Sequence, residues 1–68
     1  MGGSDLDKHD AKHLLEHWIE HNESHSRSFR ERAKQIEEIS KQAADEIDQA
    51  AMLMDQCTEK LKKAKDDL

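Results

Sequence analysis

Residues 43–68 read AADEIDQAAMLMDQCTEKLKKAKDDL. Apolar side chains and one cysteine recur in this stretch at alternating steps of four and three, at Ala43, Ile47, Ala50, Met54, Cys57, Leu61, Ala64 and Leu68. Such spacing keeps side chains on one side of an α-helix and is typical of helices that pair along a seam. The stretch therefore predicts an amphipathic helix over residues 43–66, which needs a partner to cover its apolar side.

A second amphipathic stripe precedes this helix. Its members, also spaced three and four apart, are Ala11, Leu15, Trp18, Asn22, His25, Phe29, Ala33 and Ile36. Ser4 is a good helix N-cap, and Asp7 follows three residues later as in a capping box. We therefore expect a first helix over residues 5–39, preceded by a flexible leader at residues 1–4.

The three-four spacing of the first stripe does not continue in register into the second. Continuing the first stripe would place Glu46, Lys60 and Asp67 on the apolar side, so the pattern shifts between Ile39 and Ala43. A turn at about residues 40–42 accounts for the shift, and so short a connection makes neighbouring helices antiparallel. The predicted fold class is all-α, with residues 5–68 forming a single domain that is an antiparallel two-helix hairpin.

Such a hairpin pairs large side chains with small ones. Trp18 falls opposite Leu61, and Phe29 falls opposite Ala50 and Ala51, as close packing requires. However, a chain of 68 residues buries too little apolar surface to be comfortably stable alone. We therefore expect a homo-oligomer, in which two hairpins dimerise into a four-helix bundle.

Composition excludes several function classes. The net charge of −5 leaves no excess of positive charge for nucleic acid, and no apolar run approaches the roughly 20 residues that span a membrane. Cys57 is the only cysteine, and a free thiol fits a reducing cytoplasm. We find no catalytic constellation and infer no small-molecule substrate, so the prediction is a cytoplasmic protein that is not an enzyme.

The histidines are the chemically distinctive feature. All five recur at intervals of four, at His9, His13, His17, His21 and His25. Two histidines one helical turn apart can offer ring nitrogens to a single metal ion. His25 lies within the apolar stripe, His21 at its margin and His17 on its flank, and Cys57 falls in the same layer of the hairpin. These four residues predict a site for a divalent transition metal, Zn, Ni or Cu.

Other interpretations use the same residues. His9 and His13 fit solvated surface positions, His25 fits a core histidine bonded to Asn22, and Cys57 fits a small buried hydrophobe. On that basis the chain is a structural or protein-interaction module in which Asn22 and His25 set pairing specificity. A pH sensor is a third interpretation, because protonation of a buried histidine loosens an assembly.

The stretch His17-Trp18-Ile19-Glu20-His21-Asn22-Glu23-Ser24-His25, followed by Phe29, resembles an H-W-x-x-H-N-x-x-H-x-x-x-F signature of short, uncharacterised prokaryotic helical proteins. This resemblance covers about a fifth of the chain. It implies a helical hairpin with a metal role for His17, His21 and His25. The second helix, including Cys57, lies outside the matched signature.

Overall fold

The computed structural model describes residues 6–68, which form two helices packed side by side as an antiparallel hairpin. Helix α1 spans Lys8–Ile36 and helix α2 spans Lys41–Asp66. The molecule is elongated, with principal dimensions of 55 × 20 × 16 Å. The predicted all-α hairpin is confirmed. No helix in the described part of the chain is long and apolar enough to cross a membrane.

Helix α1 begins later than the sequence pattern predicts. Its N-cap is Asp7, whose carboxylate accepts the backbone N–H of Asp10 at 2.8 Å. A carboxylate is a strong cap because it also complements the helix dipole. Lys8 is therefore the first helical residue, and the predicted cap, Ser4, lies outside the described residues.

The turn lies slightly earlier than predicted, at residues 37–39 rather than 40–42. Ile39 and Ser40 both donate backbone N–H groups to the Ile36 carbonyl at 2.8 Å, which closes the end of α1. The Ser40 hydroxyl accepts the N–H of Ala43 at 3.1 Å and caps α2. Because Ser40 serves as this cap, α2 begins at Lys41, and it ends at Asp66.

The seam between the helices is narrower than the apolar stripes. Its buried members are Ile19, Ser26, Ala33, Ala44, Ala51 and Thr58, and its half-buried members are Leu15, Asn22, Phe29, Ile36, Ile47, Met54, Leu61 and Lys65. Small side chains at most of the buried positions let the two backbones approach closely. Together these positions repeat at steps of four and three in both helices.

Several residues expected in the seam lie outside it. Trp18, His25, Ala50 and Cys57 are exposed, each directly preceding a buried seam residue. The helices are therefore rotated from the orientation that apolarity alone predicts. The rotation buries Ser26 and Thr58, whose hydroxyls are hydrogen-bonded: Thr58 Oγ1 donates to the Met54 carbonyl at 3.0 Å. A small hydroxyl with a partner can be buried at little cost.

Candidate metal centre

His21 and His25 come together on the exposed surface of α1. Their Nε2 atoms are 2.8 Å apart and share a hydrogen bond whose donor depends on the ring tautomers, and the rings meet edge to face with centroids 4.4 Å apart. Two ligands bound at about 2.0 to 2.1 Å around a tetrahedral ion lie about 3.3 Å from each other. A small rotation of either ring therefore brings both nitrogens to metal-binding distance, as the four-residue spacing predicts.

The rings of neighbouring residues continue this arrangement along α1. His17 stacks on His21 with ring centroids 6.0 Å apart, and the Phe29 ring lies 6.2 Å from that of His25. The longer distance places His17 as a peripheral member of the predicted set. Phe29 adds an apolar wall on the other side of the pair.

Cys57 reaches the same part of the hairpin from α2, but it is exposed rather than buried in the seam. Its Sγ accepts a hydrogen bond from Asn22 Nδ2 at 3.7 Å. Asn22 directly follows His21, so the thiol lies level with the histidine pair. The structure gives Cys57 the Asn22 amide as a partner, but within residues 6–68 no three of His17, His21, His25 and Cys57 have ligand atoms that all lie within 4.8 Å of one another.

A polar cluster beneath the pair fixes the rotation of α1. Ser26, next to His25, donates to Asp55 Oδ1 at 2.6 Å and accepts from Arg30 Nη1 at 2.6 Å. Arg30 Nη2 also donates to Asp55 Oδ2 at 2.7 Å. The Arg30 guanidinium, and then the Ser26 hydroxyl, lower the pKa of Asp55 below its ordinary value. Since Ser26 is held to α2, the neighbouring His25 keeps its outward direction.

Sequence reasoning missed this cluster because serine and aspartate are not apolar. The signal that points to it is the seven-residue interval that Ser26 shares with Ile19 and Ala33, since seven residues are two helical turns on one side of a paired helix. Arg30, four residues after Ser26, then lies within reach of it.

Two further ion pairs join the helices. Lys65 Nζ lies 2.9 Å from Glu16 Oε2, and Lys62 Nζ lies 3.4 Å from Glu23 Oε2. The Lys65 ammonium lowers the pKa of Glu16 through a hydrogen bond and its charge. These pairs connect the first half of α1 to the end of α2, as antiparallel packing requires.

The start of α1 carries a different group of possible ligands. Ligand atoms of Asp7, His9 and Asp10 all lie within 4.8 Å of one another, the one such trio in residues 6–68. All three residues are exposed, and the Asp7 carboxylate already caps the helix. His9 and His13 meet with ring centroids 4.7 Å apart and are likewise exposed. Within this group, Asp7 has a structural role as the helix cap.

Comparison with known proteins gives a family. Residues 11–68 match the family described as "Domain of unknown function (DUF8180)". The chain is also similar to a protein of Archaeoglobus fulgidus described as "Uncharacterized protein", with 41% identity over 54 residues that cover 79% of this chain and 87% of that protein. No solved structure matches the chain.

Proposed function

The chain belongs to the DUF8180 family, and we propose that it binds a divalent transition-metal ion through His21 and His25. His17 and Cys57 contribute as further ligands, and such nitrogen and sulfur donors suit Zn²⁺, Ni²⁺ and Cu²⁺. The bound ion serves storage, delivery or sensing rather than catalysis. A reducing cytoplasm, where Cys57 stays a free thiol, is the setting we propose for this role.

The observation that carries this proposal is the 2.8 Å separation of the His21 and His25 Nε2 atoms. Both rings are exposed, so an ion reaches them without any unfolding. His17 lies one turn before His21, and the Asn22–Cys57 contact keeps a sulfur donor level with the pair. The H-W-x-x-H-N-x-x-H stretch then supplies the ligands from α1.

The second candidate function is a structural or protein-interaction module without a metal. The exposure of Trp18, at 45%, and Leu53, at 65%, favours it, because large apolar side chains on a surface commonly mark a protein contact. In this role Asn22 and His25 set the specificity of pairing. The two functions make different predictions for the histidines, which allows one experiment to separate them.

The experiment is calorimetric titration of the reduced, tag-free protein with Zn²⁺, Ni²⁺ and Cu²⁺, together with thermal melting. The double variant His21→Ala, His25→Ala is compared with His9→Ala, His13→Ala, which removes two exposed histidines at the same spacing. We expect saturable binding at micromolar or tighter affinity and a raised Tm for the wild type and the control. The first double variant should lose both.

Equal metal affinity in the two double variants would overturn the proposal, because the ion would then bind elsewhere. Weak and non-saturable binding by the wild type would also overturn it. If the first double variant loses self-association while the wild type has no metal affinity, the second candidate function is supported.

A further inference from the structure

The hairpin exposes more surface than a compact monomer. Its accessible surface is 5411 Å², whereas a compact monomer of 7.9 kDa exposes about 4,400 Å². The surplus is comparable to the roughly 800 Å² that each partner buries in a stable protein interface. In addition, none of the large side chains in residues 6–68 is fully buried. The size of this surplus surface and the incomplete burial of the large side chains fit a chain that buries part of its surface against a partner.

The two sides of the hairpin differ sharply in composition. Because the helices run in opposite directions, the residue just before each seam residue falls on the same side of the hairpin in both helices. On this side, which we name the lateral face, these residues are Leu14, Trp18, His21, His25, Ser28, Arg32, Gln35, Ala43, Glu46, Ala50, Leu53, Cys57, Lys60 and Ala64. Apolar and histidine side chains thus share one face.

The residue just after each seam residue lies on the opposite side, which we name the charged face. Its members are Glu16, Glu20, Glu23, Arg27, Arg30, Lys34, Asp45, Asp48, Met52, Asp55, Glu59, Lys62 and Asp66. All but Met52 are charged, and the ion pairs Arg30–Asp55 and Glu23–Lys62 lie on this side. The charged face is therefore suited to solvent exposure, and the lateral face is the side that a partner would bury.

A second copy of this chain suits the lateral face. Only three of its fourteen residues, Arg32, Glu46 and Lys60, are charged, whereas all residues named on the charged face but Met52 are, so two copies that meet at the lateral face bury few charges. Leu14 and Trp18 come from α1, whereas α2 supplies the small residues Ala50, Cys57 and Ala64 and one large residue, Leu53. A two-fold axis parallel to the helices lays α1 of each copy on α2 of the other, which places large residues on small ones.

This arrangement also completes the metal site. Glu16 pairs with Lys65 and Ser26 with Asp55 across the hairpin, which puts Cys57 level with His25. A two-fold axis parallel to the helices keeps every residue at its own level along the bundle. The Cys57 thiol of one copy then faces the histidine pair of the other across the new interface.

From these observations we infer that two copies join through their lateral faces and that each metal ion is held by His21 and His25 of one copy and Cys57 of the other. The inference rests on the proposed metal-binding function and adds the second copy as a required part of the site. Two equivalent sites form per dimer. These three protein ligands leave a fourth position on each ion for His17 or for water.

Mixed dimers test the shared site. Cys57→Ala keeps the histidines and lacks the thiol, whereas His21→Ala, His25→Ala keeps the thiol and lacks the histidines. Each variant alone should show no cobalt–thiolate absorption when Co²⁺ is added under reducing conditions. When the two are mixed, unfolded and refolded together, half of the molecules become mixed dimers with one complete site, so thiolate absorption should return.

The absence of this recovery, with normal metal affinity of the wild type, would overturn the shared site and leave the proposed function standing. If the wild type binds none of the metals, the proposed function fails as well. Tight one-to-one binding at dilutions where the wild type sediments as a monomer would also overturn the inference.

The dimer surface is tested independently by Trp18→Lys and by the matched control Glu20→Lys, which flank the buried Ile19 on opposite faces. We expect Trp18→Lys to raise the dimer dissociation constant at least about 30-fold, the scale of an aromatic hot spot. Glu20→Lys should leave it nearly unchanged. Equal effects in sedimentation equilibrium, or a monomeric wild type, would contradict the lateral face as the interface.

Discussion

The seam and the lateral face lie one residue apart along each helix, yet they differ in the size and solvent exposure of their side chains. Ala51 is 0% exposed in the seam, whereas Trp18, the largest side chain of the protein, is 45% exposed on the lateral face. The seam holds two helices close together with small residues, and the lateral face presents larger ones outward. Apolarity alone therefore does not identify which side of a helix its own hairpin buries.

The largest expected effect comes from Ile19→Ala, because Ile19 is the largest buried side chain of the seam. Truncating a buried isoleucine destabilises a protein by about 2 to 5 kcal/mol, and we expect the lower half of this range because the hairpin core is thin. Denaturant unfolding should show the loss at every protein concentration. Trp18→Ala should lower stability only at concentrations where dimers form, and a concentration-independent loss would contradict this assignment.

Enlarging Ala51 in the seam or Ala50 on the lateral face also compares these two surfaces, with a smaller expected effect on stability. Ala51→Leu forces a larger side chain between the helices and should cost about 1 to 3 kcal/mol, as overpacking typically does. Ala50→Leu adds the same atoms on the exposed lateral face and should not destabilise the isolated hairpin. The measurement is thermal melting of both variants at low protein concentration. If Ala50→Leu proved the more harmful, the seam would pass through Ala50, as the apolar pattern predicts.

A single hydroxyl at the centre of the seam is expected to have a smaller effect. Ser26→Ala removes the group that contacts both Asp55 and Arg30, and the loss of such a hydrogen bond costs about 1 kcal/mol. The matched control is Ser28→Ala, at an exposed position on the same helix. Equal melting temperatures for the two variants would show that the cluster adds little to the seam.

The smallest effect concerns acid stability. Because the pKa of Asp55 is lower in the folded hairpin than its ordinary value of 3.8, its contact with Arg30 is fully present above that value. The contribution is lost as the pH falls through the folded-state pKa. Asp55→Asn should therefore be less stable than the wild type near neutral pH, and the difference should shrink below about pH 4. A difference that stays constant down to pH 2 would exclude this ion pair as its source.

Much of the fold follows from spacing in the sequence. The three-four rhythm predicts both helices, and the shift in that rhythm between Ile39 and Ala43 predicts two helices rather than one. The rotation of each helix about its axis cannot be predicted from this spacing, because each apolar stripe is wide enough to form two interfaces. In the observed rotation Ser26 and Thr58 are buried, and a pattern of apolar residues does not include them.

At the candidate site, too, contacts within one helix were predicted more accurately than the orientation of residues across the hairpin. The approach of His21 to His25 is fixed by helix geometry, which a sequence contains fully. The position of Cys57 depends on the rotation of α2 about its axis relative to α1. The apolar pattern places Cys57 in the seam, whereas the residue buried there is the next one, Thr58. Predicted as a seam residue, Cys57 is instead exposed and bonded to Asn22. The level of Cys57 along the hairpin was thus predictable, and its rotation out of the seam was not.

The two ion pairs on the charged face also select among competing misfolded hairpins. Sliding α2 by one heptad exchanges Ala51 for Ala44 and Leu61 for Met54, so packing alone distinguishes these alternatives poorly. Sliding one way brings Asp55 beside Glu23, however, and sliding the other way brings Lys62 beside Arg30. Both slipped pairings oppose like charges. Four surface charges that add little to the stability of the native hairpin therefore make its nearest alternatives less favourable.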